Sequence, residues 1–384
     1  MTAIPSVKIA QTSATDARSA VRDFHAEMAG PELALVVFFC SSHYDLAALS
    51  DEMNLLFPDM PVIGCTTAGE IGPAGYSKQS LVGVGFPAQG FTVAVGQLDH
   101  LQQFSDEAGK ALVCTLRAGL DGQVRDAAPR NRFAMQLIDG LSNREEAVVH
   151  AFQQALRDTP MFGGSAGDDS KAERTWVFCD GAFHTDSAIL AIIDTIYPFT
   201  IIKTHHFVGG QERLVVTEVD IPRRTVKELN GLPAAEEYAR VLGVRPEQLD
   251  ASSFAASPVV VRINGTDYVR SIRSVNPDGS LTFYCAIDKG LVLRVAQGVD
   301  FIGNLQRTFD EIHTSIGTPQ LVIACDCTFR NIELANKGLI GEAEGIFADN
   351  HVVGFNTYGE QFMGIHINQT LTGIAIGGQV GGYE

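Results

Sequence analysis

"LALVVFFCSSHYDLAALSDEMNLLFPDMPVIGCTTAGEI", residues 33–71, runs from eight apolar residues through a mixed stretch to a shorter apolar run and a glycine-bounded loop. The apolar runs have the length of buried strands, and the segment between them has the length and patterning of a helix. The same order returns in "FAMQLIDGLSNREEAVVHAFQQALRDTPMFGGSAGDD", residues 133–169, and in "LVIACDCTFRNIELANKGLIGEAEGIFADNHVVGFNTYGEQ", residues 321–361. Ser42 with Asp45 and Ser142 with Glu145 have capping-box spacing, and Thr328 is a plainer cap for the third helix. Each loop precedes another apolar run, "SLVGVGF", "SAILAII" or "LTGIAIGG". Three copies of one unit predict duplicated architecture. In each, two parallel strands flank a crossover helix, and the strand after the loop returns antiparallel. The expected fold class is therefore α/β, with mixed β-sheets flanked by helices and built from repeated βαβ-loop-β units.

A chain of 384 residues favours two domains. After the strand pair "RLVVTEVD…RRTVKELNG", the stretch "LPAAEEYARVLG" opens a helix with Pro233 in its first turn and Gly243 past its end. Strand-like runs follow, with turns expected at Asn264-Gly265 and Asp278-Gly279. The boundaries are placed at 1–29 for an N-terminal segment, 30–225 for the first domain and 226–384 for the second. The composition, 45% hydrophobic and 19% charged with 38 glycines, is that of a compact globular protein. A formal charge of −17 repels phosphate backbones and acidic membrane surfaces, so neither nucleic acid nor membrane is an expected partner. The N-terminus lacks a signal-peptide core and the apolar runs are too short or interrupted to span a bilayer, so a cytoplasmic protein is expected. Seven cysteines, an odd number lying mostly in apolar runs, read as reduced core thiols.

The combination of "PVIGCTTAGEI", "FGGSAGDD", "VTEVDIPRRTVKELNGLPAAEEY" and "VVGFNTYGEQFMGIHINQTLTGIAIGG" resembles the FIST family, built from a FIST N and a FIST C domain. The resemblance runs from about residue 30 to the C-terminus and implies a ligand-binding sensor without enzymatic activity of its own. No kinase or cyclase sequence accompanies the two domains. The layout therefore resembles the stand-alone, nitric-oxide-sensing haemoprotein branch of the family. That implies b-type haem held by a histidine, nitric oxide as ligand, and a partner histidine kinase or cyclic-dinucleotide enzyme, with a homodimer plausible.

Candidate residues follow. "TIIKTHHFVGG", residues 200–210, ends an apolar strand with two histidines. Strand alternation turns His205 and His206 to opposite faces, so one can meet a pocket walled by Phe207 while the other is solvated or orients it. Either could ligate haem iron, which needs a neutral imidazole in an apolar slot. His366, in the alternating strand "MGIHINQT", is either a satisfied core residue or a ligand contact. Glu70 and Glu360 recur at the same place in two repeats; they either anchor their loops on backbone N–H groups or recognise the amino group of a small metabolite. That second option belongs to a haem-free sensor of amino acids or other metabolites. "GGSAG" at 163–167 formally matches a nucleophile elbow, which would make Ser165 a hydrolase nucleophile, but the next run reads as a strand where that motif needs a helix. Asp168 and Asp169 either cap the turn or bind a cation.

Overall fold

The computed structural model describes residues 6–123, 131–263 and 265–378. The first five residues of the N-terminal segment and the expected turn residue Asn264 lie outside them. The first repeat comprises β1 (Lys8–Thr12), α1 (Ala17–Met28), β2 (Leu33–Ser41), α2 (Leu46–Leu56), β3 (Val62–Thr67), the hairpin β4 (Glu70–Gly72) and β5 (Gly75–Ser77), and β6 (Leu81–Pro87). The second follows with β7 (Phe91–Leu98), α3 (Asp106–Gln123), β8 (Asn131–Ile138), α4 (Glu145–Leu156), β9 (Met161–Ser165), the hairpin β10 (Val177–Cys179) and β11 (Ala182–His184), and β12 (Ala188–Thr195).

The third repeat begins with β13 (Phe199–Thr204) and is then interrupted. The inserted segment contains β14 (Phe207–Asp220), β15 (Thr225–Leu229), β16 (Leu232–Pro233), α5 (Ala234–Leu242), α6 (Ala251–Ala256), β17 (Val259–Ile263), β18 (Thr266–Arg270), β19 (Ile272–Val275), β20 (Leu281–Phe283) and β21 (Val292–Gly298). The repeat resumes with α7 (Phe301–Ile316), β22 (Pro319–Cys327), α8 (Thr328–Lys337), α9 (Ile340–Asp349), β23 (Val352–Thr357), the hairpin β24 (Glu360–Phe362) and β25 (Ile365–Ile367), and β26 (Leu371–Gly377). Residue 225, the last of the expected first domain, opens β15 inside the inserted sheet.

Each repeat builds the core of one sheet, with the expected polarity. β2 and β3, β8 and β9, and β22 and β23 pair in parallel. The returning strands β6, β12 and β26 pair antiparallel to β2, β8 and β22. The hairpins, however, are exchanged. The β10–β11 hairpin of the second repeat extends the first sheet through β3, β24–β25 of the third extends the second through β9, and β4–β5 of the first extends the third through β23. The sheet orders are β1-β6-β2-β3-β10-β11, β7-β12-β8-β9-β24-β25 and β13-β26-β22-β23-β4-β5, a closed cycle of three exchanges.

The alternation of each strand then divides two kinds of core. Residues such as Val37, Phe39, Met135, Phe162, Ile323 and Phe355 meet in one central cluster shared by all three sheets, with Phe39 stacked on Phe355 at 4.5 Å. The opposite faces pack under helices: α1 and α2 on the first sheet, α3 and α4 on the second, α7 to α9 on the third. α1 shows how the sequence specifies this. Asp16 caps it by accepting from Ser19 N, and Ala17, Ala20, Val21, Phe24 and Met28 form its buried stripe. The inserted segment has a separate core, including Leu214, Val216, Tyr238 and Phe254, that continues onto Cys327 and Phe329 at the start of α8.

The expected capping boxes are corrected. Asp45 itself is the cap of α2, accepting from Ala47 N and Ala48 N, while Ser42 donates to Asp169 at 2.5 Å. The cap position of α4 is Arg144, with no side-chain cap; Ser142 accepts from Arg144 N one residue too early to close a box with Glu145. Thr328 is the first helical residue of α8 behind Cys327, which offers no side-chain cap. α2 thus keeps a local cap, whereas the uncapped first turns of α4 and α8 pack against the inserted domain, through Glu145 and Glu146 on Arg224 and through Phe329 on Tyr284.

Candidate functional site

The three sheets can be compared row by row. Gly64, Gly163 and Gly354 sit at the same repeat position, on the inner parallel strand. A Cβ there would lie 2.5, 2.2 and 1.8 Å from the carbonyl oxygens of Phe38, Gln136 and Ala324. On the helix-covered face, each glycine is flanked by one residue of its own repeat and two from the exchanged hairpin. In the first sheet these are Phe38, Phe178 and Phe183. In the third they are Ala324, Ile71 and Tyr76. In the second they are Gln136, Gln361 and His366. The same place in the fold is apolar or nearly so twice and fully polar once.

The polar row is buried, and much of it is unpaired. Gln136, Gln361 and His366 are almost wholly excluded from solvent. Gln361 Nε2 donates to Ser165 Oγ at 2.9 Å and to His366 Nδ1 at 3.2 Å. With Nδ1 accepting, the ring proton sits on Nε2. Burial pushes the imidazole down to about 4, so it is neutral at pH 7. Both side-chain polar atoms of Gln136, Gln361 Oε1 and His366 Nε2 have no hydrogen-bond partner among the described residues. Each such buried group costs about 1–3 kcal/mol.

Beside the row, the inserted domain meets α4. Arg224 donates from Nη2 to Glu145 at 2.6 Å and to Glu146, and from Nη1 to the Tyr284 carbonyl at 2.6 Å. Glu146 also accepts from Ala286 N at 2.6 Å. Burial pushes Glu145 up to about 7 despite the guanidinium beside it. The charges of Glu146, Arg224 and Arg270 reach His366. The unpaired polar atoms continue across the seam as Arg270 Nε and Ser271 Oγ.

The other expected residues fall elsewhere. Glu70 accepts from Thr67 Oγ1 at 2.5 Å and from Ser80 Oγ and N; Glu360 repeats this with Thr357 and with Thr370 Oγ1 and N. Both carboxyls are buried loop anchors, pushed up to about 7 and about 8 by burial. Ser165 ends β9 in full burial, with its N–H donating to Gly359 O at 2.8 Å, and no helix follows. Asp168 closes its own turn, accepting from the N–H groups of Ala172, Glu173 and Arg174 and from the Tyr358 hydroxyl.

His206 donates from Nε2 to Glu333 at 2.9 Å and accepts at Nδ1 from Arg330 at 3.3 Å, with its ring packed between Phe207 and Phe301. Both nitrogens are engaged and the side chain is fully buried, so His206 as placed does not fit haem ligation. Phe207 packs into a small cluster with Val260, Val269 and Ala296 instead of walling a slot. His205 is partly exposed, with a buried Nδ1 lacking a partner among the described residues. Among those residues, no group of three or more His, Cys, Asp or Glu side chains is arranged to hold a metal ion.

Sequence reasoning found His366 but missed Gln136, Gln361 and the Arg224 seam. A glutamine inside the apolar run "FAMQLI" was the available signal.

The fold defines a triplicated α/β module interrupted by a β-rich insertion. The FIST N domain model matches residues 34–232 and the FIST C domain model residues 234–363, and the chain belongs to the FIST family of sensory signal-transduction domains. Comparison with individually curated proteins gives no match. Among the described residues, no helix is long and apolar enough to cross a membrane.

Proposed function

We propose that this chain is a haem-free sensory input module that binds a small polar metabolite, such as an amino acid or its amide, in the Gln136–Gln361–His366 row. One observation carries the reading: of three equivalent rows, only this one is fully polar, and four of its polar atoms have no partner among the described residues. The chemistry suits a ligand bearing both a donor and an acceptor. His366 Nε2 and the Gln136 amide nitrogen would donate; Gln361 Oε1 and Gln136 Oε1 would accept. Ligand in the row would bear on α4 and so on the Arg224–Glu145–Glu146 contacts, changing how the inserted domain seats. Signalling to a partner enzyme requires the ligand to favour one seating over the other.

The test is a thermal-shift screen of the dialysed protein against amino acids, amides and hydroxy acids. A compound at a hundred times its Kd adds about 2.7 kcal/mol of stability. The response should disappear in Gln136→Leu. No stabilising compound, or an undiminished response in that variant, overturns the proposal. Haem ligation retains one foothold, the unpaired Nδ1 of His205. A Soret band on haemin addition, lost in His205→Ala and shifted by nitric oxide, would replace the haem-free reading.

A further inference from the structure

On the same seam, but independent of the polar row, lies a hollow of about 670 Å³ between Asn143 of the repeat body and the β14–β15 and β19–β20 turns of the inserted domain. Its wall carries two carboxylates, Asp220 and Asp278, in a chain whose formal charge is −17. Three cations line it, Arg223, Lys227 and Arg273. Two have acidic partners of their own: Arg223 pairs with Asp220 at 3.1 Å and Lys227 with Glu218 at 3.1 Å. Asp278, also on the wall, is taken up by Ser280 N and Oγ. Arg273 has neither a hydrogen bond nor an ion pair among the described residues. It sits where the β19–β20 register shifts, an irregularity that re-aims a side chain out of the ladder.

Across the hollow, the Asn143 side chain likewise has no hydrogen-bond partner among the described residues, on a backbone at φ +56°. The remaining polar wall is already ordered: Thr225 Oγ1 lies 3.1 Å from Thr282 Oγ1, and Asn276 donates to Thr282 at 2.9 Å. A guanidinium without a counter-ion offers the planar fork that suits two oxygens of one carboxylate or phosphate.

We propose that this hollow binds a small molecule through an oxyanion, held by Arg273 and bridged to the repeat body by Asn143. Such a ligand ties the inserted domain to the segment leading into α4, one residue before Arg144 and two before Glu145. Occupancy therefore tightens the seam that Arg224 also holds.

Calorimetric titration of the full chain at fixed ionic strength, with inorganic phosphate and with citrate as probes, tests this. Binding of phosphate alone assigns a phosphate-bearing ligand, and binding of citrate alone a carboxylate. Arg273→Gln should weaken the bound probe at least tenfold and Asn143→Ala several-fold, while Arg307→Gln, at an exposed arginine of another hollow, should change nothing. If Arg273→Gln misfolds, Arg273→Lys takes its place: reduced affinity at an unchanged melting temperature supports the site, and unchanged affinity overturns it. Binding of neither probe, or equal binding to the wild type and Arg273→Gln, also overturns it. Because Gln136 is intact in every variant, failure here leaves the polar-row reading standing, and the metabolite screen can fail without touching this one.

Discussion

Phe38, Phe178 and Phe183 in the first sheet occupy the same three places as Gln136, Gln361 and His366 in the second. The phenylalanines touch one another, with ring centroids 5.1 to 6.1 Å apart, and need nothing else. The polar trio has one internal hydrogen bond and four polar atoms without partners. Since the first sheet folds with a wholly apolar row, the architecture does not demand polarity there. The second row costs stability relative to the first, and that cost is where a duplicated scaffold has room to differ in function.

The sharpest way to break the comparison is to damage the row that is purely structural. Phe38→Ala should lose about 3–5 kcal/mol in urea denaturation, because it opens a cavity in a dry cluster. A loss under 1 kcal/mol would mean that the first row is not a packed element. Arg224→Met comes next. It leaves the buried Glu145 beside the partly exposed Glu146 without a cation and should cost on the order of 3 kcal/mol at pH 7. Acidification should restore part of this, because Glu145 can then take up a proton; a loss independent of pH would contradict that account.

Gln136→Leu sharpens the contrast from the other side. Removing two unpaired polar atoms should leave the unliganded protein unchanged or up to about 1 kcal/mol more stable. A loss of 2 kcal/mol or more would show that Gln136 is already satisfied, for example by tightly held water.

The last effect is a slope with pH and concerns the loop anchors. Glu360 is held near pH 8 in the fold against an ordinary 4.5. Below the unfolded value both states carry the proton and its contribution to stability is complete. As the pH rises through the folded value, the unfolded chain is already ionised and the folded one must ionise against burial, so the contribution is lost. Between pH 6 and 8 the wild type should lose stability relative to Glu360→Gln by on the order of 1 kcal/mol per pH unit. Parallel melting profiles for the two proteins would refute this.

The site was less legible than the fold. His366 was visible as a histidine in an alternating strand, but the β8 and β9 residues that complete its row, Gln136 and Gly163, lie more than 200 positions away. His206 looked like a ligand because two histidines end an apolar strand. Its actual partners, Glu333 and Arg330, come from α8, and nothing near position 206 announces them. The equivalence of Glu70 and Glu360 was readable from the repeated loops, and both carboxyls prove to be held by nearby hydroxyl and backbone groups.

The sequence by itself determined the repeat, the parallel and returning strands within each copy, and the α/β class, because these depend on patterns inside about 55 to 65 contiguous residues. It could not determine which sheet each hairpin joins. A short strand satisfies its backbone equally well on any matching edge, and only closure of the shared apolar core selects the partner. That selection brought Gln361 and His366 of the third repeat beside Gln136 of the second, and an insertion within the third repeat placed the Arg224 and Arg273 seam over them. The local pattern made the parts, and long-range packing made the site.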